Sequence, residues 1–156
     1  MEPGSRCPPR ETPAAVSVSL DDPRWARAVG EPLRLARRAA AAALRLGRGQ
    51  GALSIVLADD AALRGLNQKF RDKDYATNVL SFPALGGLGD VIVSRAAVLR
   101  EARSEGVGND ARLAHLVVHG VLHLCGFEHD TPRAARAMEA AEAACLRRLG
   151  MRNPWR

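Results

Sequence analysis

The segment HGVLHLCGFEHD at residues 119–130 constrains the fold most strongly, because it places three of the chain's four histidines within eleven positions. Apolar residues recur around it at helical spacing, which predicts an amphipathic helix over 110–125. At about 100° per residue, His115 and His123 lie about 40° on either side of His119. The pattern therefore predicts a helix that is buried along one face and presents imidazoles along the other.

Two of these histidines are spaced to bind one metal ion. Side chains four residues apart stack on the same helix face, so His119 and His123 can converge on one ion. His115 and His123 are about 12 Å apart along the axis and zinc–nitrogen bonds are about 2 Å, so one ion cannot take all three helical histidines. Gly126 can end the helix in a left-handed turn, after which His129 can return to the ion. The predicted ligands of one Zn²⁺ per chain are His119, His123 and His129.

The neighbouring residues fit other roles. We expect His115 to be a hydrogen-bonded core or surface residue, and Cys125, about 120° from His119, to be a small buried core residue. Three neutral nitrogens without a thiolate leave one coordination position open, which is typical of catalytic zinc. Helical zinc peptidases place a glutamate after the first histidine as general base, whereas this chain has Gly120. A peptidase is therefore disfavoured.

The rest of the chain predicts an α+β fold, a small mixed β-sheet covered by helices, with the zinc site on a buried helix and the loop after it. Runs of strand length occupy 15–20, 52–58, 79–82 and 90–94, and helices are predicted at 31–47, 60–70, 95–105, 110–125 and 132–149. The first long helix is expected to bury a stripe of Leu33, Ala36, Ala40, Ala43 and Leu44. We divide the chain into a disordered leader (1–13), a single domain (14–150) and a tail (151–156).

Charge and composition restrict the partner. The net charge is +6, which favours an anionic partner, nucleic acid first, although the arginine and alanine content also indicates a codon bias. The three cysteines have no paired spacing and suit a reducing compartment. Apolar runs fall short of the roughly 20 residues of a membrane span, and the polar N-terminus is not a signal peptide. We therefore expect a cytoplasmic protein with no membrane partner.

Three motifs, in this order along the chain, resemble the YbeY family of bacterial endoribonucleases, which are ribosomal-RNA maturation factors: FRDKDYATNVLSFP, LGDVIVS and HGVLHLCGFEHD. The resemblance extends from about Leu66 to Gly150. Glu128 stands where the family usually has aspartate, and Ala76 where it often has proline. The resemblance implies zinc at the three histidines named above and cleavage of single-stranded RNA, with no DNA expected as substrate. It also implies maturation of the 3′ end of small-subunit ribosomal RNA and ribosome quality control, so that ribosomal RNA and the ribosome are the expected partners.

The resemblance further implies a role in activity for an arginine of the first motif, which falls on Arg71. A planar guanidinium matches phosphate geometry and can stabilise charge that builds during RNA cleavage. The alternative for Arg71, expected in a polar loop, is a salt bridge to Asp72 or Asp74, or a solvated charge.

Other residues of the first two motifs have predicted structural roles. Thr77, Asn78 and Ser81 are expected to form hydrogen bonds at the turn and strand end. Phe82 is expected in the core rather than stacked on a base, and Asp90 at a strand start or behind a histidine.

Two alternatives remain beside the zinc endoribonuclease. The first is a non-catalytic RNA-binding ribosome-assembly factor with structural zinc, which the open coordination position disfavours. The second is another zinc hydrolase, which the glycine at position 120 and the positive charge disfavour. Metal analysis followed by incubation with RNA and with casein separates the three.

Overall fold

A computed structural model describes residues 14–71 and 78–155, apart from the side chains of residues 70 and 71. The predicted leader, 1–13, lies outside the described residues. In chain order the secondary structure elements are β1 (Ala15–Leu20), α1 (Trp25–Ala28), α2 (Pro32–Gly47), β2 (Ala52–Ala58), α3 (Asp60–Arg71), β3 (Val79–Pro83), β4 (Gly89–Ser94), α4 (Arg95–Glu105), α5 (Asn109–Leu124) and α6 (Pro132–Arg148).

The four strands form one mixed sheet in the order β1-β2-β4-β3. β1, β2 and β4 are parallel, and β3 pairs antiparallel with β4. Parallel neighbours need a crossover connection, and α2 supplies it between β1 and β2. The mixed sheet with helical cover confirms the predicted fold class.

The β3–β4 hairpin depends on one glycine. Gly89 has φ +133°, a conformation that L residues rarely adopt, and a Cβ there would lie 2.0 Å from the carbonyl oxygen of Phe82. The hairpin carries β3 to the edge of the sheet, beneath α5.

The main core lies between the sheet and helices α2, α5 and α6. α2 approaches closely because alanines cover most of its buried face. The predicted stripe is wrong at Leu33, which is 40% exposed. Leu33 lies in the first turn of the helix, whereas the other four residues of the stripe are buried, together with Leu35 and Ala39.

The short helix α1 has no counterpart in the predicted elements. Its Trp25 is fully buried, and the indole Nε1–H donates to the Ala58 carbonyl at 3.0 Å. The buried carboxylate of Asp22 accepts hydrogen bonds from Arg24 (3.0 Å) and from Arg95 (2.8 Å). These contacts fix the segment after β1 to the start of α4.

In residues 14–71 and 78–155, no helix is both long and apolar enough to cross a membrane.

Candidate metal site

Helix α5 crosses the edge of the sheet so closely that only glycine fits at the contact. A Cβ on Gly120 would lie 2.7 Å from Val91 Cγ1, 3.1 Å from Ser81 Oγ and 3.3 Å from Val79 Cγ2. The Ser81 hydroxyl donates to the Gly120 carbonyl at 3.1 Å. The position where helical zinc peptidases have their glutamate therefore faces the packed sheet and leaves no room for a carboxylate.

The structure brings together the three histidines that the sequence nominated. Ring centroids are 5.3 Å apart for His119 and His123, 5.6 Å for His119 and His129, and 5.0 Å for His123 and His129. One ligand atom from each ring lies within 4.8 Å of the others, so in the described part of the chain this group could hold a metal ion. α5 supplies the first two rings, and Gly126, with φ +102°, turns the chain so that the following loop supplies the third.

Hydrogen bonds fix the tautomers of the two helical ligand candidates. His119 Nδ1 lies 2.7 Å from Oε1 of Glu142, and His123 Nδ1 lies 2.8 Å from the carbonyl oxygen of Phe127. Both acceptors lack a proton, so each ring carries its hydrogen on Nδ1 and keeps a lone pair on Nε2. The two Nε2 atoms are thus prepared as metal ligands.

Burial lowers the pKa of His123, and the neighbouring His119 lowers it further. Imidazole binds metals in its neutral form, so this shift favours the ligand state. Cys125 is half-buried rather than fully buried as predicted, and burial raises the pKa of its thiol. A protonated thiol is a poor ligand, which is consistent with its absence from the group of three.

His115 is a hydrogen-bonded core residue, as expected. It is 7% exposed, its Nε2–H donates to Oε2 of Glu142 at 2.6 Å, and its Nδ1 accepts from Arg112 at 3.0 Å. Both ring nitrogens are therefore committed to protein partners, and the ring lies outside the group of three.

A cleft of about 430 Å³ lies beside the three histidines, between them and strand β3. Asn78 and Ser81 line it from the strand side, and Glu128 from the loop. Glu128 is 62% exposed with Oε2 3.8 Å from His123 Nδ1, which is a loose contact. A cavity of about 480 Å³ lies near the C-terminal tail, but its lining includes none of the three clustered histidines among the described residues. The candidate metal site therefore lies beside the smaller cleft.

The sequence reasoning missed Glu142 as a residue of this site. Asp90 was expected at a strand start or behind a histidine; it lies exposed at the start of β4, and the carboxylate that contacts His119 is Glu142 on α6. Burial acts to raise the pKa of Glu142, but hydrogen bonds from His115 and His119 hold it at about 2. A signal was present in the sequence, because Glu142 falls on the apolar stripe formed by the buried residues Met138, Ala141, Cys145 and Leu146.

The predicted position of Arg71 needs one correction, since it is the last residue of α3 rather than part of a loop. The helix ends one residue after the predicted end at 70. Its side chain, and residues Asp72, Asp74 and Thr77, lie outside the described residues.

Asn78, just before β3, and Phe82 within it behave as predicted. Asn78 caps the strand start, its amide donating to Glu101 at 3.1 Å and its side-chain oxygen accepting from the Val79 amide. Phe82 is partly buried and packs on the smaller core cluster, which contains Leu63 and Leu80.

Comparisons with known proteins agree on one family. The family model described as Endoribonuclease YbeY matches residues 17–150. A Gluconobacter oxydans protein named Endoribonuclease YbeY is 41% identical, covering all of this chain and 93% of its own length. An Azorhizobium caulinodans protein of the same name is 45% identical over 90% of this chain and 95% of its own length. The solution structure of TM1509 from Thermotoga maritima shares the fold, with a TM-score of 0.60 at 20% identity, over 87% of this chain and 92% of that one.

Proposed function

This chain belongs to the YbeY family of endoribonucleases, and on that premise we propose that it cleaves single-stranded RNA at a zinc ion held by His119, His123 and His129. The observation that carries the proposal is the convergence of three imidazoles beside an open cleft, two of them with their Nε2 lone pairs directed by hydrogen bonds.

The donor set fits zinc better than the harder cations. Imidazole nitrogen suits zinc and other late transition metals, whereas magnesium and calcium prefer oxygen ligands. Three protein ligands beside a cleft match the open arrangement of catalytic zinc sites. When bound, one zinc ion per chain would supply a Lewis acid next to the scissile phosphate.

The protein's own residues then have to bind and orient the RNA. The cleft opens along the edge strand β3, where Asn78 and Ser81 offer polar contacts to a single strand. The net charge of +6 favours association with the phosphate backbone. We propose that Arg71 contacts the scissile phosphate, since it precedes the cleft strand in sequence and a guanidinium can bind phosphate through two parallel hydrogen bonds.

The substrate and location follow as part of the same proposal. We infer that the substrate is small-subunit ribosomal RNA, which the enzyme cuts during maturation of the 3′ end. We further infer that the enzyme acts in ribosome quality control, with the ribosome as its partner in the cytoplasm. The motif resemblance and the positive charge support this inference.

The direct test measures zinc content and RNA cleavage on the same preparations. Purified protein should hold about one zinc per chain and cut a short unstructured RNA while leaving casein intact. His129→Ala should lose both zinc and cleavage. His115→Ala should still hold about one zinc per chain, because it removes none of the three ligands and leaves the hydrogen bond from His119 to Oε1 of Glu142 in place.

Full zinc retention in His129→Ala would contradict the ligand assignment. Zinc without RNA cleavage in the wild type would favour a structural site. The ends of the cleaved RNA then identify the nucleophile. A 5′-phosphate on the downstream fragment indicates water, and a 2′,3′-cyclic phosphate indicates the neighbouring 2′-OH.

A further inference from the structure

The carboxylate of Glu142 is a buried hydrogen-bonding centre behind the candidate metal site. Its residue is 1% exposed, and both of its carboxylate oxygens lie within hydrogen-bond distance of side-chain donors. Three side-chain donors satisfy it: His119 at 2.7 Å, His115 at 2.6 Å and the indole Nε1 of Trp155 at 3.0 Å. A buried carboxylate is costly unless it is paired and hydrogen-bonded, and these three donors meet that requirement.

The two carboxylate oxygens face different parts of the molecule. Oε1 accepts from His119, on the side of the metal site. Oε2 accepts from His115 and from Trp155, which belongs to the C-terminal tail. The His115 and Trp155 rings also meet edge to face, with centroids 5.8 Å apart. The tail is thereby joined to the carboxylate that holds a metal-ligand candidate.

The orientation of His115 is itself determined by a further contact. Arg112 Nη1 donates to His115 Nδ1 at 3.0 Å, and this leaves the His115 proton on Nε2, directed at Glu142. Arg112 is in turn held by Glu101 at 2.8 Å. With Oε2 accepting from both His115 and Trp155, the carboxylate is oriented so that Oε1 accepts from His119.

We propose that Glu142 is a positioning residue for the metal site. Its Oε1 fixes the ring orientation and the Nδ1–H tautomer of His119, so that Nε2 of His119 faces the ion. Trp155 orients the same carboxylate through a hydrogen bond to Oε2. The inference rests on the proposed metal function. A carboxylate behind a histidine ligand also makes the imidazole a stronger donor.

The first test reads the tautomer without metal. In ¹⁵N spectra of metal-free protein at about pH 8, where histidines are mostly neutral, wild-type His119 and His123 should both show the Nδ1–H pattern. Glu142→Gln places an amide beside His119, and its NH₂ can donate to Nδ1, so His119 should shift toward the Nε2–H tautomer. His123 is the internal control, because its acceptor is the Phe127 carbonyl. Glu139→Gln, the same charge change one turn earlier on α6, should leave both rings unchanged.

The second test measures zinc affinity by competition with a chelator. Glu142→Gln should weaken binding by about 10- to 100-fold, the range for partners that orient a ligand, and Glu139→Gln should not. Trp155→Phe keeps a ring against His115 but removes the N–H, and should weaken binding more than about twofold. It tests the same carboxylate if Glu142→Gln does not fold.

The proposal would be overturned if the His119 tautomer were unchanged in Glu142→Gln. It would also be overturned if Glu142→Gln and Trp155→Phe both bound zinc within about twofold of the wild-type affinity. Failure of the wild type itself to bind zinc would instead refute the proposed metal function, so the two failures are distinguishable.

Discussion

Replacing glycine by alanine at two helical positions of this chain should have opposite effects on the free energy of unfolding. Gly120 lies in α5, where an added Cβ would meet Val91 Cγ1 at 2.7 Å. Val91 is fully buried in the central part of the sheet and β-branched, so its methyl group cannot rotate away cheaply. Gly65 lies in the middle of α3, and no atom of the described residues lies within 4 Å of the added carbon.

The expected magnitudes follow from these surroundings. Adding a methyl group to a packed interface costs roughly 1–3 kcal/mol. Replacing a helical glycine by alanine returns about 0.5–1 kcal/mol through backbone entropy and helix propensity. Gly65→Ala should therefore stabilise the protein by about 0.5–1 kcal/mol. Gly120→Ala should lower the free energy of unfolding by about 1 kcal/mol, with up to about 2.5 kcal/mol where Val91 cannot adjust.

Urea unfolding of both variants beside the wild type gives the comparison. The gain from replacing glycine is common to both variants, so the two should differ by roughly 1–3 kcal/mol, which for a domain of this size corresponds to several degrees in Tm. Gly120→Ala should also bind zinc more weakly, because the helix must move away from the sheet and carries His119 with it. Equal or greater stability of Gly120→Ala relative to Gly65→Ala would refute the argument that α5 is in contact with the sheet at this point.

Three further predictions concern charges. Arg71→Lys keeps the charge but loses the planar guanidinium, so single-turnover RNA cleavage should fall by about 10- to 1,000-fold at unchanged zinc content. Cleavage within about twofold of wild type corresponds to less than about 0.5 kcal/mol of barrier and would remove Arg71 from the catalytic residues. The hydrogen bond from Arg24, followed by that from Arg95, holds the pKa of Asp22 well below its usual value, so its contribution to stability is present above about pH 4 and is lost as pH falls toward the folded-state pKa. Asp22→Asn should accordingly destabilise the protein at pH 7, with a difference that shrinks in acid unfolding curves; a constant difference would contradict the assignment. Affinity for single-stranded RNA, measured by fluorescence anisotropy, should fall as salt rises, and a salt-independent affinity would mean that the charge of +6 serves no RNA contact.

Local patterns in the sequence predicted most of the secondary structure. The strands and long helices lie close to the expected positions because periodicity, proline at a first turn and glycine at helix ends are local signals. The short helix α1 escaped prediction, since four residues carry too little periodicity, and its stability comes from burial of Trp25. Leu33 was misplaced because periodicity identifies a helix face but does not show whether neighbouring elements cover its first turn.

The candidate metal ligands could be nominated from sequence because i, i+4 spacing and a following glycine are also local features, and one helix with its adjoining loop contains all three histidines. The exclusion of His115 followed from helix length alone. The hydrogen-bond partner of His115 could not be derived from the sequence, because Glu142 is 27 residues away on another helix.

The sequence by itself thus determined the helix that carries His119 and His123, the turn that returns His129, and the absence of a glutamate at position 120. Only the tertiary structure decided why that glutamate is absent and what stands behind the site. The packing of α5 on β3 and β4 leaves space for glycine alone at Gly120, and the packing of α6 on α5 brings Glu142 to His119. Both are contacts between elements distant in sequence, and such contacts depend on how helices and sheet dock together, which no local periodicity encodes.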